Sequence, residues 1–225
     1  MYQMYQTNDT YHPPRSRGVQ TMPMLTVDVW SPKGGSGKST LSLNLAAFFA
    51  AEDASRRVLL VDADAQQSAR TWEARAKQYG LVPAFDVSAS AARADRYDVV
   101  IHDHAPYAPA VAASTLKGDV ILMPVLPSSF FDAASTVRGR SELEAKGRRV
   151  LLVPNRVETA YASDVSFLAD FVGRPFVKKR KAAYQTTVAR GLTIFGADKS
   201  GIRGLSEARA EFGRVVESLV DLAAA

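Results

Sequence analysis

Ser-Pro-Lys-Gly-Gly-Ser-Gly-Lys-Ser-Thr, residues 31–40, stands between the apolar run Leu25 to Trp30 and a second stretch carrying Leu41, Leu43, Leu45, Ala46, Phe48 and Phe49. The first run reads as a strand and the second as a helix, so the glycines fall on a strand-to-helix turn. Gly34, Gly35 and Gly37 let the backbone turn tightly, so that its N–H groups can converge on phosphate oxygens at a helix N-terminus. Within the same loop, which also contains Ser36 and Thr40, Lys38 is placed to neutralise β- and γ-phosphates and the Ser39 hydroxyl to ligate Mg²⁺.

Outward from the loop, short apolar runs alternate with helical stretches. Val58 to Val61, Val99 to Ile101, Val120 to Val125 and Val150 to Val153 read as strands. Helices are expected from about Gln66 to Gly80, around Ala110 to Leu116 and Ala133 to Lys146, and over Leu205 to Leu222, where Ala208, Phe212, Val215, Leu219 and Leu222 form one apolar stripe. The alternation predicts an α/β fold, a mostly parallel twisted sheet with helices on both faces. At 225 residues one domain over residues 23–225 suffices. Residues 1–22, rich in Tyr, Gln, Thr, Pro and Arg without periodicity, read as a disordered arm.

Composition excludes several chemistries. There is no cysteine, hence no disulfide and no thiolate metal site. The histidines His12, His102 and His104 lack the spacing of a zinc site. No apolar run approaches the roughly 20 residues that span a bilayer. The net charge of +5 is unevenly spread: residues 1–173 hold 18 Lys/Arg against 18 Asp/Glu, and residues 174–225 hold 10 against 5. Six basic residues and no acid lie between Arg174 and Arg190.

Three acids end apolar strands. Asp62 and Asp64 follow Val58 to Val61 at alternate positions, which share a face if the strand continues, and Asp103 follows Val99 to Ile101 between His102 and His104. The C-terminal ends of strands are where an open α/β sheet binds ligands. Such acids can hold Mg²⁺ through water or orient an attacking water; for Asp62 and Asp64 the other reading is that they cap the helix beginning near Gln66. The histidines flanking Asp103 read as side-chain variation with no catalytic role, an altered phosphate-sensing loop being the other reading.

Pro32 occupies the first glycine position of the usual phosphate-loop pattern, and Lys33 follows it. This K-G-G-x-G-K-[ST] arrangement resembles the deviant Walker A motif of the ParA/MinD group of P-loop NTPases, and Val58 to Ala69 (VLLVDADAQQSA) resembles that group's V-L-L-V-D-x-D-P-Q segment, with Ala65 in place of proline. The resemblance covers about residues 24–222 and is closest to small partition ATPases of the ParF kind. It implies that Lys33 reaches into a partner subunit's nucleotide across an ATP-bound homodimer. Lys38 and Asp64 then act in catalysis, Asp64 orienting water, while Asp62 supports the metal and Asp103, at the Walker B position, holds Mg²⁺ through water. Asn155, after Val153 and Pro154, corresponds to the adenine-side loop; a turn-forming asparagine is the other reading. The segment with Lys178, Lys179, Arg180, Lys181 and Arg190, followed through Tyr184, Gly191, Ile194 and Phe195, corresponds to the group's DNA-binding region, which neutralises phosphates without reading bases.

The implied function is an ATP switch: a weak ATPase that dimerises on ATP, binds nucleoid DNA nonspecifically and positions a plasmid, chromosome or protein cargo until a ParB-like adaptor stimulates hydrolysis. The expected setting is cytoplasmic and nucleoid-associated, without stable membrane association. Alternatives are a P-loop metabolic ligase of the dethiobiotin-synthetase type, a MinD-like membrane switch and a nucleotide-bound scaffold with little turnover. Lys33 and the basic segment argue against the ligase, and Glu207, Glu211, Glu217 and Asp221 in the last helix argue against the membrane switch.

Overall fold

The computed structural model describes residues 24–127, 130–197 and 201–225; the expected N-terminal arm lies outside the described residues. In chain order the elements are β1 (Leu25–Val29), α1 (Lys38–Glu52), β2 (Val58–Ala63), α2 (Ser68–Gln78), β3 (Asp86–Ser88), β4 (Val99–His104), α3 (Pro109–Thr115), β5 (Val120–Val125), α4 (Phe130–Glu144), β6 (Val150–Val157), α5 (Ala162–Leu168) and β7 (Val177–Lys178). A π-helical turn, Lys181–Thr186, runs into the single turn α6 (Thr187–Ala189), and α7 (Leu205–Ala224) ends the chain. The strands form one seven-stranded sheet in the order β3-β2-β4-β1-β5-β6-β7, and every described pairing is parallel.

Period-two alternation sorts the strands' side chains between two layers. Leu25, Val27 and Val29 of β1, Val58 and Leu60 of β2, and Val99 and Ile101 of β4 share a core with Leu41 to Ala50 of α1 and with Leu205, Phe212, Val215, Val216 and Leu219 of α7. Every residue of α1 from Leu41 to Ala50 is buried, as expected of a helix lying between a sheet and further layers. The opposite face carries Trp30, Ala112, Leu116, Ile121, Met123 and Leu152. Of the predicted α7 stripe, Ala208, Phe212, Val215 and Leu219 are buried and Leu222 is half-buried.

Three elements were not legible as separate units. β3 and β7 are three and two residues long, too short for an alternation pattern to register. α5 covers seven residues in which only Asp164 is buried, so it lacks the apolar stripe that marks a packed helix. The predicted strands were also cut short: β4 continues through His102, Asp103 and His104, and β6 through Pro154 to Val157. Both extensions carry the chain's polar residues into the sheet.

Candidate phosphate-binding site

The loop after β1 enters α1 through Gly37, whose φ of 96° and ψ of 17° are left-handed. A Cβ at Gly37 would sit 2.5 Å from Asn155 Nδ2, while added Cβ atoms at Gly34 and Gly35 would meet nothing within 4 Å. One glycine therefore allows a close contact, and the other two are exposed and face open space in front of the helix. No side chain caps the N-terminus of α1, so its first-turn N–H groups are left to favour an anion. Lys38 is buried, and its ammonium donates to the Lys33 carbonyl at 3.4 Å. Burial holds the Lys38 pKa below its usual value, opposed by the Asp103 and Asp64 carboxylates nearby. Lys33 itself is exposed at the lip of the loop.

β2 and β4 are adjacent and in register, with Asp62 opposite Asp103. Both acids face α1, at 2% and 0% exposure. Asp103 Oδ1 and Oδ2, Asp62 Oδ1 and Ser36 Oγ are buried without a hydrogen-bond partner. Burial pushes the Asp103 carboxyl up to about 6; the Ser39 and Ser42 hydroxyls and Lys38 pull down, short of completing a hydrogen bond to it, and Asp62 adds to the upward shift. Orphaned carboxylate oxygens of this kind are costly in a dry interior. Together with the Ser39 hydroxyl beside them they are the hard oxygen donors that a hydrated Mg²⁺ takes, so the residues present fit the ion that the sequence reading implied.

The capping alternative for the acids is also realised. Asp62 Oδ2 accepts the Arg70 N–H at 3.0 Å in the first turn of α2, leaving only Oδ1 for other use. β2 ends at Ala63, so Asp64 leaves the strand and does not share Asp62's face by strand alternation. Its Oδ1 accepts the Gln66 N–H at 2.9 Å, ahead of Gln67, whose φ is 54°. Asp64 is nevertheless half-buried and close enough to Lys38 to act on its charge.

Asn155 is 4% exposed. Its Nδ2 donates to the Ser36 carbonyl at 2.8 Å, and its Oδ1 accepts the Arg156 N–H at 2.9 Å. The amide proposed for a base edge thus braces the phosphate loop in this structure. Arg156 follows with φ 59°, a conformation that costs a non-glycine residue free energy, and its guanidinium would lie 3.8 Å from a Cβ on Gly37.

The basic segment is less uniformly available than its sequence suggests. Lys179 pairs with Glu158, and Arg180 pairs with the buried Glu211 at 2.6 Å. Lys178, Lys181 and Arg190 form no ion pair with a described residue, and Lys181 and Arg190 are exposed. Tyr184 is buried with an unpartnered hydroxyl, and Gly191, at φ 70°, would place a Cβ 2.5 Å from Ala76 Cα; both are packing positions.

The strand, glycine loop and helix, the two in-register acids and the parallel sheet agree with the model of the CobQ/CobB/MinD/ParA nucleotide binding domain, which matches residues 28–220. The chain belongs to that family. It is similar to a maintenance of carboxysome distribution protein A from Gloeobacter kilaueensis, 30% identical over 210 residues, 86% of this chain and 93% of that protein. Among solved structures, a putative plasmid partition protein of Borrelia burgdorferi B31 bound to AMPPNP superposes with a TM-score of 0.66 at 14% identity, over 89% of this chain and 99% of that one. The MinD cell division protein of Aquifex aeolicus gives 0.61 at 18% identity, over 86% and 97%. At such identities the two structures speak for the fold. The chain is thus a nucleotide-binding ATPase of the ParA/MinD type, and among its described residues no helix is long and apolar enough to cross a membrane.

Sequence reading missed one acid of this ParA/MinD domain, Asp28. It lies on β1 facing away from the nucleotide side and is 2% exposed. Its signal was there: a lone carboxylate inside the apolar run Leu25 to Trp30 must find a partner once the strand is buried on both faces.

Proposed function

We propose that this chain is an ATP-driven positioning switch, which dimerises on ATP, binds DNA without sequence preference and distributes a cargo until an adaptor on that cargo stimulates hydrolysis. The observation that carries the reading is the constellation at the loop: glycines facing open space before an uncapped helix, buried Lys38, and the unpartnered oxygens of Asp62 and Asp103 in register beside it. Mg²⁺, when bound, supplies charge neutralisation for the phosphate oxygens. The chain's own residues do the rest. Loop N–H groups and Lys38 hold the phosphates, Ser36 and Thr40 line the loop, Ser39 and Asp103 with Asp62 behind them hold the ion, and Asp64 orients the attacking water at the rim. Asn155 keeps the loop in its binding shape.

Dimerisation rests on Lys33, whose exposure at the lip suits a lysine that reaches a partner's phosphates. DNA contact rests on Lys178, Lys181 and Arg190, with Lys179 and Arg180 partly neutralised by Glu158 and Glu211. The carboxysome distribution and plasmid partition relatives make a protein complex or a plasmid the natural classes of cargo, in a cytoplasmic, nucleoid-associated setting.

The deciding experiment is retention of the purified protein on DNA over a range of salt concentrations without nucleotide, with ADP and with ATP. ATP-dependent, salt-sensitive retention is expected. Absence of binding in every state would overturn the DNA-based switch and send the search to liposomes or small-molecule substrates.

A further inference from the structure

On the face of the sheet opposite the nucleotide site, β1 brings a side chain remote in sequence to two that alternate along β4. Asp28 stands in register with His102, and His104, two residues on, shares that face. One donor atom from each of Asp28, His102 and His104 can be chosen so that all three lie within 4.8 Å of one another. We propose that these residues form a transition-metal site of the zinc class, holding a divalent ion through two imidazoles and one carboxylate.

The donor set and its surroundings both support the assignment. Two neutral imidazole nitrogens with a carboxylate suit Zn²⁺ and its neighbours in the first row and are poor ligands for Mg²⁺. A tetrahedral site with bonds of about 2.0–2.2 Å separates its donors by roughly 3.3–3.6 Å, and the three donor atoms here lie within 4.8 Å of one another. Ligand orientation is already set from outside. His104 offers Nε2 toward Asp28 Oδ1 at 2.8 Å while its Nδ1 lies 3.0 Å from the Tyr107 hydroxyl, and Asp28 Oδ2 accepts the Gly118 N–H at 2.7 Å. The Tyr107 and Gly118 contacts are outer hydrogen bonds of the kind that fix the tautomer and aim of metal ligands, and the His104–Asp28 bond is the one an ion would replace. Gly118 is needed for that approach, since a Cβ there would meet Thr26 O at 2.9 Å and Asp28 Oδ2 at 3.0 Å. Within this arrangement His102 is the member without a purpose: its ring stacks on His104 with centroids 5.7 Å apart, and neither ring nitrogen makes a hydrogen bond to a described residue. It is half-buried, which gives an ion a way in, and a water completes the fourth position.

The test uses tag-free protein in excess Mg²⁺, added to compete for the proposed site at Ser39 and Asp103, with Co²⁺ as spectroscopic probe and Zn²⁺ as competitor. One Co²⁺ per chain should give the strong visible absorption of a four-coordinate ion, and Zn²⁺ should displace it. His102→Ala, which removes no hydrogen bond of the fold, should weaken Zn²⁺ binding by roughly 100-fold with unchanged circular dichroism and nucleotide affinity, and Tyr107→Phe by roughly tenfold. Zn²⁺ affinity unchanged in His102→Ala, or lost in Asp103→Asn while retained in His102→Ala, would overturn the assignment.

Discussion

The Asn155 side-chain amide donates to the Ser36 carbonyl at 2.8 Å, closing a contact between residues 119 positions apart. It ties the end of β6 to the phosphate loop at the point where Gly37 must lack a side chain. Asn155→Ala should leave the fold intact, at a cost of about 1 kcal/mol, and should weaken nucleotide binding about five- to tenfold because the loop is no longer held. Gly37→Ala should be worse, since it adds a left-handed φ to the collision with Nδ2. Titration with a fluorescent ATP analogue reads both; wild-type affinity in Asn155→Ala would show that the loop holds its shape unaided.

Asp103, fully buried, carries a pKa raised to about 6 from an unfolded value near 3.8. Its folded form binds the proton more tightly, so ionisation penalises the folded state as pH rises from about 4 to 6, and the full penalty persists above 6. Asp103→Asn should therefore stabilise the nucleotide-free protein at pH 7.5 by on the order of 2 kcal/mol, with the gain shrinking toward pH 4, and should abolish added stability from Mg²⁺ with ATP. Thermal melts at both pH values check the sign; no gain at pH 7.5 would refute it.

Lys33 and Lys38 should separate cleanly. Lys38→Ala removes the buried ammonium at the loop and should lose ATP affinity by at least tenfold. Lys33→Ala should keep most of that affinity and lose ATP-dependent dimerisation, read by sedimentation velocity. Normal dimers and turnover in Lys33→Ala would remove the lysine from the interface.

Asp64→Ala should bind ATP and dimerise yet hydrolyse it at least 100-fold more slowly, so that dimers persist. Turnover close to wild type would leave Asp64 with only its turn at Gln66.

For DNA, charge reversal at Lys181 and Arg190 should weaken retention and lower the salt dependence by about one ion per lost phosphate contact. Reversal at Arg180 is a poor probe, because it would leave the buried Glu211 facing a second acid. Undiminished binding by the Lys181 and Arg190 double variant would move the surface elsewhere.

Short-range features of this protein were legible from the chain alone. The glycine loop, the apolar strand and helix on either side of it and the acids near the ends of β2 and β4 depend on neighbours in sequence, and local turn chemistry and buried parallel strands write themselves into residue order. The two-residue β7 and three-residue β3 did not, since too few positions exist to carry a period.

What only the tertiary structure decided are the pairings. Asp62 meets Asp103 and Asp28 meets His102 because β4 inserts between β2 and β1, and register between strands is set by the whole sheet. Lys179 and Arg180 lost part of their free charge to Glu158 and Glu211 for the same reason. A carboxylate's chemistry follows from its type, but its role follows from which partner the packed chain brings within hydrogen-bond reach and how much water it removes, and neither quantity is local in sequence.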